Sequence, residues 1–183
     1  RNFQDSSEVV SRFLKYVAPD HSQPEQADVS SVVGEVAKDM RKSLKASGKD
    51  VLITEEHSQD LPKTRIDIGI FRSVISELIT NSSHHLNGDG RILLRTALAS
   101  DEEVEISGAA LNGQYVAVEI SDNGPGIPDD IRSKIFNLGF STRSMGTGLG
   151  LSLAKRDIER HRGRIVEIGR AGADFLILLP AAK

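Results

Sequence analysis

Asp122-Asn-Gly-Pro-Gly126 and, further on, Gly146-Thr-Gly148-Leu-Gly150 decide the reading of this chain. Six of its sixteen glycines fall in the 29 residues from Asp122 to Gly150. Glycine costs conformational entropy wherever the backbone is ordered, so such a cluster points to positive φ angles or to backbone approaching a ligand closely. An acidic residue leads the first group, and a helix-like stretch from Leu149 to His161 follows the second. A carboxylate at a strand end can accept from an exocyclic amine such as adenine N6. N–H groups entering a helix N-terminus suit phosphate oxygens. The pair together suggests a nucleotide site.

Outward from that segment, composition sets bounds. A chain of 183 residues, 38% hydrophobic and 27% charged, fits one globular domain or one domain with an appended piece. The net charge of −3 gives no argument for nucleic acid or an anionic membrane as a bulk partner. The absence of cysteine excludes disulfides and thiolate metal sites. No apolar run approaches a membrane span, and no secretory signal is visible. The chain opens at Arg1, with Phe3, Val10, Phe13, Leu14 and Val17 at helical spacing, which reads as a cut inside a longer protein.

Periodicity orders the rest. A helix is predicted over 1–18, ended by Pro19, then a polar linker over 20–28, then a helix over 29–44. The longest amphipathic helix runs from Asp67 to Leu86, burying Phe71, Val74, Ile75, Leu78 and Ile79. Strands are expected at 51–54, 91–99, 103–106, 115–120, 164–168 and 174–179, with helices at 129–136 and 149–161. The last two strands flank a Gly-Arg-Ala-Gly turn and so run antiparallel. The whole is an α+β, two-layer sandwich with a mixed sheet and helices on one face.

On the long helix, Glu77 and Asn81 lie four apart, and His84 and His85 continue their edge. A carboxylate and an amide carbonyl so placed suit Mg²⁺; Glu77 could also orient or deprotonate a water. The plain alternative is the solvated side of an amphipathic helix. For Asp122 the alternative is an ordinary Asp-Asn-Gly turn, but Ile127 opens a new element rather than a return strand. For Gly146, Thr147, Gly148, Leu149 and Gly150 the alternative is a flexible linker; neither a P-loop nor a Rossmann turn matches here. Ser141, Thr142 and Arg143 form a polar loop able to close over a nucleotide, with Arg143 available for a γ-phosphate.

These motifs, in this order, resemble the ATP-binding domain of the GHKL superfamily (the Bergerat fold), most closely the catalytic domain of sensor histidine kinases. Glu77-Leu-Ile-Thr-Asn81 is similar to the N-box, and Asp122 to Gly126 to the first G-box. Ile135-Phe136 with Gly139-Phe140-Ser-Thr142 is similar to the F-box, and Gly146 to Gly150 to the second G-box. The resemblance covers about residues 28 to 180. Residues 1–19 resemble the end of the dimerisation and phosphoacceptor hairpin, leaving 20–28 as linker and 29–183 as the catalytic domain.

The resemblance implies ATP and Mg²⁺ as cofactors. Asn81 and Glu77 would hold the metal, and Asp122 would bind adenine N6. Gly124 and Gly126 would shape the base pocket, and Ile127 and Phe136 would also bind the nucleotide. Gly146, Thr147, Gly148, Leu149 and Gly150 would line the phosphates with Thr142, and His85 would lie near the base. Glu77 and Arg143 would carry the catalytic roles. His84 stands where many kinases have a phosphate-contacting lysine, the stretch between the boxes is short, and Asp174 stands where Thr or Ser is common. His21, His57 and His161 lack the setting of a phosphoacceptor, so the acceptor histidine is expected outside this segment. Expected partners are the hairpin itself, in a homodimeric parent, and a response-regulator receiver domain, in a cytoplasmic setting and without nucleic acid. Two other readings stay open: an ATPase that works as a conformational clamp, and a nucleotide-binding interaction module.

Overall fold

Asp28 and Asp67 each open a helix, and those two helices supply much of the helical side of the core. The computed structural model describes residues 23–86, 89–110, 113–143, 146–169 and 172–182; the helix expected over 1–18 and His21 lie outside them. Asp28 Oδ1 accepts from the N–H groups of Ser30 and Ser31 at 3.0 and 3.3 Å and caps α1, Val29–Ala46. Asp67 Oδ1 accepts from Ile70 N at 2.9 Å and caps α2, Ile68–His85. The expected stripe on α2 is fully turned inward: Phe71, Val74, Ile75, Leu78 and Ile79 are all buried.

They pack on one face of a five-stranded sheet. Its strands are β2 (Val51–His57), β4 (Gly90–Leu98), β5 (Tyr115–Asp122), β6 (Arg164–Glu167) and β7 (Asp174–Pro180), in the order β2-β4-β5-β7-β6. Only β2 and β4 pair in parallel, so the sheet is mixed. Alternation along β5 and β7 sends Val116, Val118, Ile120, Phe175, Ile177 and Leu179 to the helical side. There they meet α1, α2 and α5 (Gly150–Arg160). Burying each such side chain contributes about 1.5–3 kcal/mol.

Three local expectations differ from what forms. Residues 103–106 are not a strand but part of a helix, α3, Asp101–Ser107. Ser100 Oγ accepts from Glu103 N while the Glu103 carboxylate accepts from Ser100 N, a capping box that outweighs the Val104/Ile106 alternation. This short helix lies on the face of the sheet opposite the other helices, over Ala117, Leu176 and Leu178. The polar stretch read as linker contains β1, Glu25–Ala27, which pairs antiparallel with β3, Thr64–Ile66. The helix expected over 129–136 stops after one turn as α4, Asp129–Arg132. Beyond it the chain continues through i→i−3 hydrogen bonds such as Lys134 N to Ile131 O, which lets Ile135 turn inward.

Candidate functional site

A cavity of about 890 Å³ opens between the C-terminal half of α2, the end of β5, the start of α5 and the segment joining them. That volume is in the range of small-molecule sites. Glu77, Asn81, His84 and His85 come from α2, and Asp122, Gly126 and Ile127 from the first glycine group; all line it. Thr142, Arg143, Gly146, Thr147, Gly148 and Gly150 complete the opposite side. Gly124, Phe136 and Leu149, also expected there, stand behind the wall. Gly124 N donates to Asp122 Oδ1 at 2.9 Å. Phe136 packs edge-on against Phe175 at 6.3 Å, and Leu149 is buried at the threshold of α5.

Asp122 is held by the turn it begins. Its Oδ1 accepts from Gly124 N and, across the sheet, from Ala173 N at 3.2 Å. Its Oδ2 is buried with no hydrogen-bond partner among the described residues. An ordered carboxylate with one oxygen anchored and the other unmatched is suited to receive a donor from a ligand, because leaving such an atom unpaired is costly. Around it the wall is apolar: Ile127, Ile131, Ile135, Phe140 and Phe175. Ala173 and Phe175 were not expected from the motifs. Their signal was the alternation of the last strand, which places Phe175 on the same side as Ile177.

At the other end, α5 is preceded by Leu149, whose apolar side chain makes no N-cap hydrogen bond, and the positive end of the helix dipole faces the cavity. The approach is close. Gly148 has φ +64°, and a Cβ there would overlap the backbone of Gly139 and Phe140; Gly139 N donates to Gly148 O at 3.0 Å. A Cβ on Gly150 would collide with Glu77 Oε1, so this carboxylate lies directly against the start of the helix. Asn81 Nδ2 lies 3.4 Å from Glu77 Oε1, which keeps amide and carboxylate together as the helical spacing implied. Arg143 Nη1 donates to His84 Nδ1 at 3.0 Å. Burial, reinforced by Lys49, Arg143 and His85, holds the His84 imidazole below its ordinary pKa.

The floor is braced from outside. Arg132 pairs with the buried Glu167 at 2.6 Å and donates to Ile127 O at 3.1 Å, tying the apolar wall to β6. Among the described residues no three His, Cys, Asp or Glu side chains gather as a metal cage, and no helix is long and apolar enough to cross a membrane.

Residues 66–183 match the family described as histidine kinase-, DNA gyrase B- and HSP90-like ATPases. The chain is similar to the sensor kinase CckA of Brucella abortus (strain 2308), 31% identical over 98% of this chain and 19% of that protein. It is similar also to the sensory histidine kinase/phosphatase NtrB of Rhodobacter capsulatus, 39% identical over 74% of this chain and 38% of that one. The chain thus spans well under half the length of these curated relatives. Among solved structures, the histidine kinase ThkA in complex with the response regulator TrrA shares the fold. Its TM-score is 0.75 at 20% identity, over 98% of this chain and 48% of that one.

Proposed function

Since the chain belongs to the histidine kinase-, DNA gyrase B- and HSP90-like ATPase family and carries its ATP-binding domain, we propose that it is the catalytic domain of a two-component sensor histidine kinase. It binds Mg-ATP in the cavity beside Asp122 and passes the γ-phosphate to a histidine outside this segment. The single observation that carries the reading is Asp122. One oxygen is fixed by two backbone N–H groups, and the other is buried and unmatched at the apolar end of the cavity.

In this reading adenine lies against Gly126, Ile127 and the apolar wall, with its N6 amine donating to Asp122. The triphosphate runs toward Gly146–Gly150 and the uncapped start of α5. The Glu77 carboxylate and the Asn81 amide lie side by side, with Asn81 Nδ2 donating to Glu77 Oε1 at 3.4 Å. The remaining carboxylate lone pairs and Asn81 Oδ1 would be the ligands of an ion that keeps several waters and takes its other ligands from phosphate. Bound there, Mg²⁺ would neutralise phosphate charge. In the same reading Glu77 polarises the incoming imidazole, and Arg143 stabilises charge on the transferred group. The work is mostly positioning and electrostatics. The acceptor hairpin, a homodimeric parent and a response-regulator receiver domain are the partners this function requires; a cytoplasmic setting follows from the supply of ATP.

Mixing the chain with γ-labelled ATP, Mg²⁺ and a separate helical hairpin bearing an acceptor histidine should yield acid-labile, alkali-stable phosphate on the hairpin. Glu77→Gln and Asn81→Ala should abolish it. Steady ATP hydrolysis that depends on Glu77 and ignores the hairpin would instead favour a clamp ATPase.

A further inference from the structure

Lys49 lies in the turn between α1 and β2, outside the cavity wall. Its ammonium donates to Ser83 O at 3.0 Å and Ser83 Oγ at 3.3 Å, which sets it on the last turn of α2 beside His84. His84 is in turn bonded to Arg143. A guanidinium only donates, so His84 Nδ1 must accept, and the imidazole proton sits on Nε2. Three basic side chains from three separate segments therefore come near one another where α2 ends, with His84 and Arg143 on the cavity wall and Lys49 behind it on Ser83. None of the three has a carboxylate partner among the described residues. The acids nearest in the sequence or the cavity are engaged elsewhere or exposed. Glu77 lies against Gly150 and Asn81, Asp122 is bonded to Gly124 and Ala173, and Asp50 is exposed. The crowding registers on the groups themselves: burial and then Arg143 hold Lys49 below its usual range.

Lys49 and Arg143, two cations without a counter-charge beside a neutral imidazole, oppose one another until an anion enters, and then each adds to its binding while His84 Nε2 donates. A lysine on a flexible stem can leave a carbonyl for a phosphate oxygen at little cost, because it is a point charge with three rotatable donors. We propose that Lys49 is a ligand of the terminal phosphate of the bound nucleotide, completing with Arg143 and His84 a site that distinguishes triphosphate from diphosphate. The inference rests on the nucleotide reading of the cavity given above. The competing role for Lys49 is purely structural, as a cap on the Ser83 carbonyl.

Calorimetric titration with ADP and with a non-hydrolysable ATP analogue separates the two roles. Four proteins are compared: the unaltered chain, Lys49→Ala, Lys49→Arg and the double variant Lys49→Ala with His84→Lys. Lys49→Ala should weaken the ATP analogue about tenfold, as expected for one charge-assisted contact, and ADP less than about threefold. Lys49→Arg should stay within about threefold of the unaltered chain for both. His84→Lys should restore the analogue in the Lys49→Ala background, although a cation there cannot cap Ser83. Equal affinity of Lys49→Ala and the unaltered chain for the analogue would overturn the inference. So would equal losses for both nucleotides without rescue by His84→Lys, a result that melting curves would trace to the lost cap. If the unaltered chain bound neither nucleotide, the reading of the cavity itself would fall, a result distinct from failure of the Lys49 variants alone.

Discussion

Replacing Asp122 by asparagine separates binding from folding at the residue on which the proposed nucleotide site rests. The substituted amide keeps an oxygen where Oδ1 accepts from Gly124 N at 2.9 Å and Ala173 N at 3.2 Å, so the turn survives. At the Oδ2 position it puts an N–H₂ group in place of a buried acceptor that lacks a partner among the described residues. A neutral amide is cheaper to bury than an unpaired carboxylate oxygen, so the stability of the free chain should change by less than about 1 kcal/mol or rise. Binding should not survive. A hydrogen bond to a charged acceptor is worth about 1.5–3 kcal/mol, and a donor then faces the adenine amine, so ADP affinity should fall about 100-fold. Asp122→Ala is the contrast: it removes both turn bonds and should cost about 2–4 kcal/mol of stability as well. Urea unfolding and calorimetric ADP titration of the three proteins provide the test. Unchanged ADP affinity in Asp122→Asn, with a stability loss equal to that of Asp122→Ala, would refute the argument, because the carboxylate would then be structural only.

Other consequences are equally direct. Gly148→Ala places a side chain at φ +64° and into the backbone of Gly139 and Phe140. The backbone conformation alone costs about 1–2 kcal/mol, so urea unfolding should show at least that loss, with ADP affinity reduced as the loop shifts. Arg132→Ala strands the buried Glu167 carboxylate and frees Ile127 O. The cost should be about 3–5 kcal/mol, and Glu167→Gln in that background should recover part of it in the same assay. Asp67 is held below its ordinary carboxylate pKa by N–H groups of Gln23 and Ile70. A lowered folded-state pKa means stability present above the unfolded value and lost as pH falls through the folded one. Asp67→Asn should therefore flatten the acid limb of a melting-temperature profile below about pH 4 and leave the profile near neutrality parallel to that of the unaltered chain.

Much of this was legible because two physical signals were strong. The apolar period of α2 placed Glu77, Asn81, His84 and His85 on one edge, and the structure brings that edge to the cavity. The glycine groups marked where the backbone had to approach other groups closely, and Gly148 and Gly150 now touch the Gly139 backbone and Glu77. Weaker local signals failed where a longer-range or capping interaction prevailed. Val104 and Ile106 alternate like a strand, yet the Ser100–Glu103 box and three acidic residues in the first turn favour a helix. The polar stretch before Val29 carries no strand pattern; it is recruited by pairing with Thr64–Ile66, a contact between segments far apart in the chain. Lys49 could not be found from its neighbours in sequence, because its partners, Ser83 and the Arg143–His84 pair, come together only through the fold.

A crystal structure of the chain with ADP bound would test the central claim most directly. The account predicts the adenine N6 amine within hydrogen-bonding distance of Asp122 Oδ2, the base against Ile127 and Phe175, and the phosphates at the start of α5 between Gly146 and Gly150. A nucleotide bound elsewhere, or in this cavity with its phosphates toward Asp122 and its base toward Gly150, would contradict it.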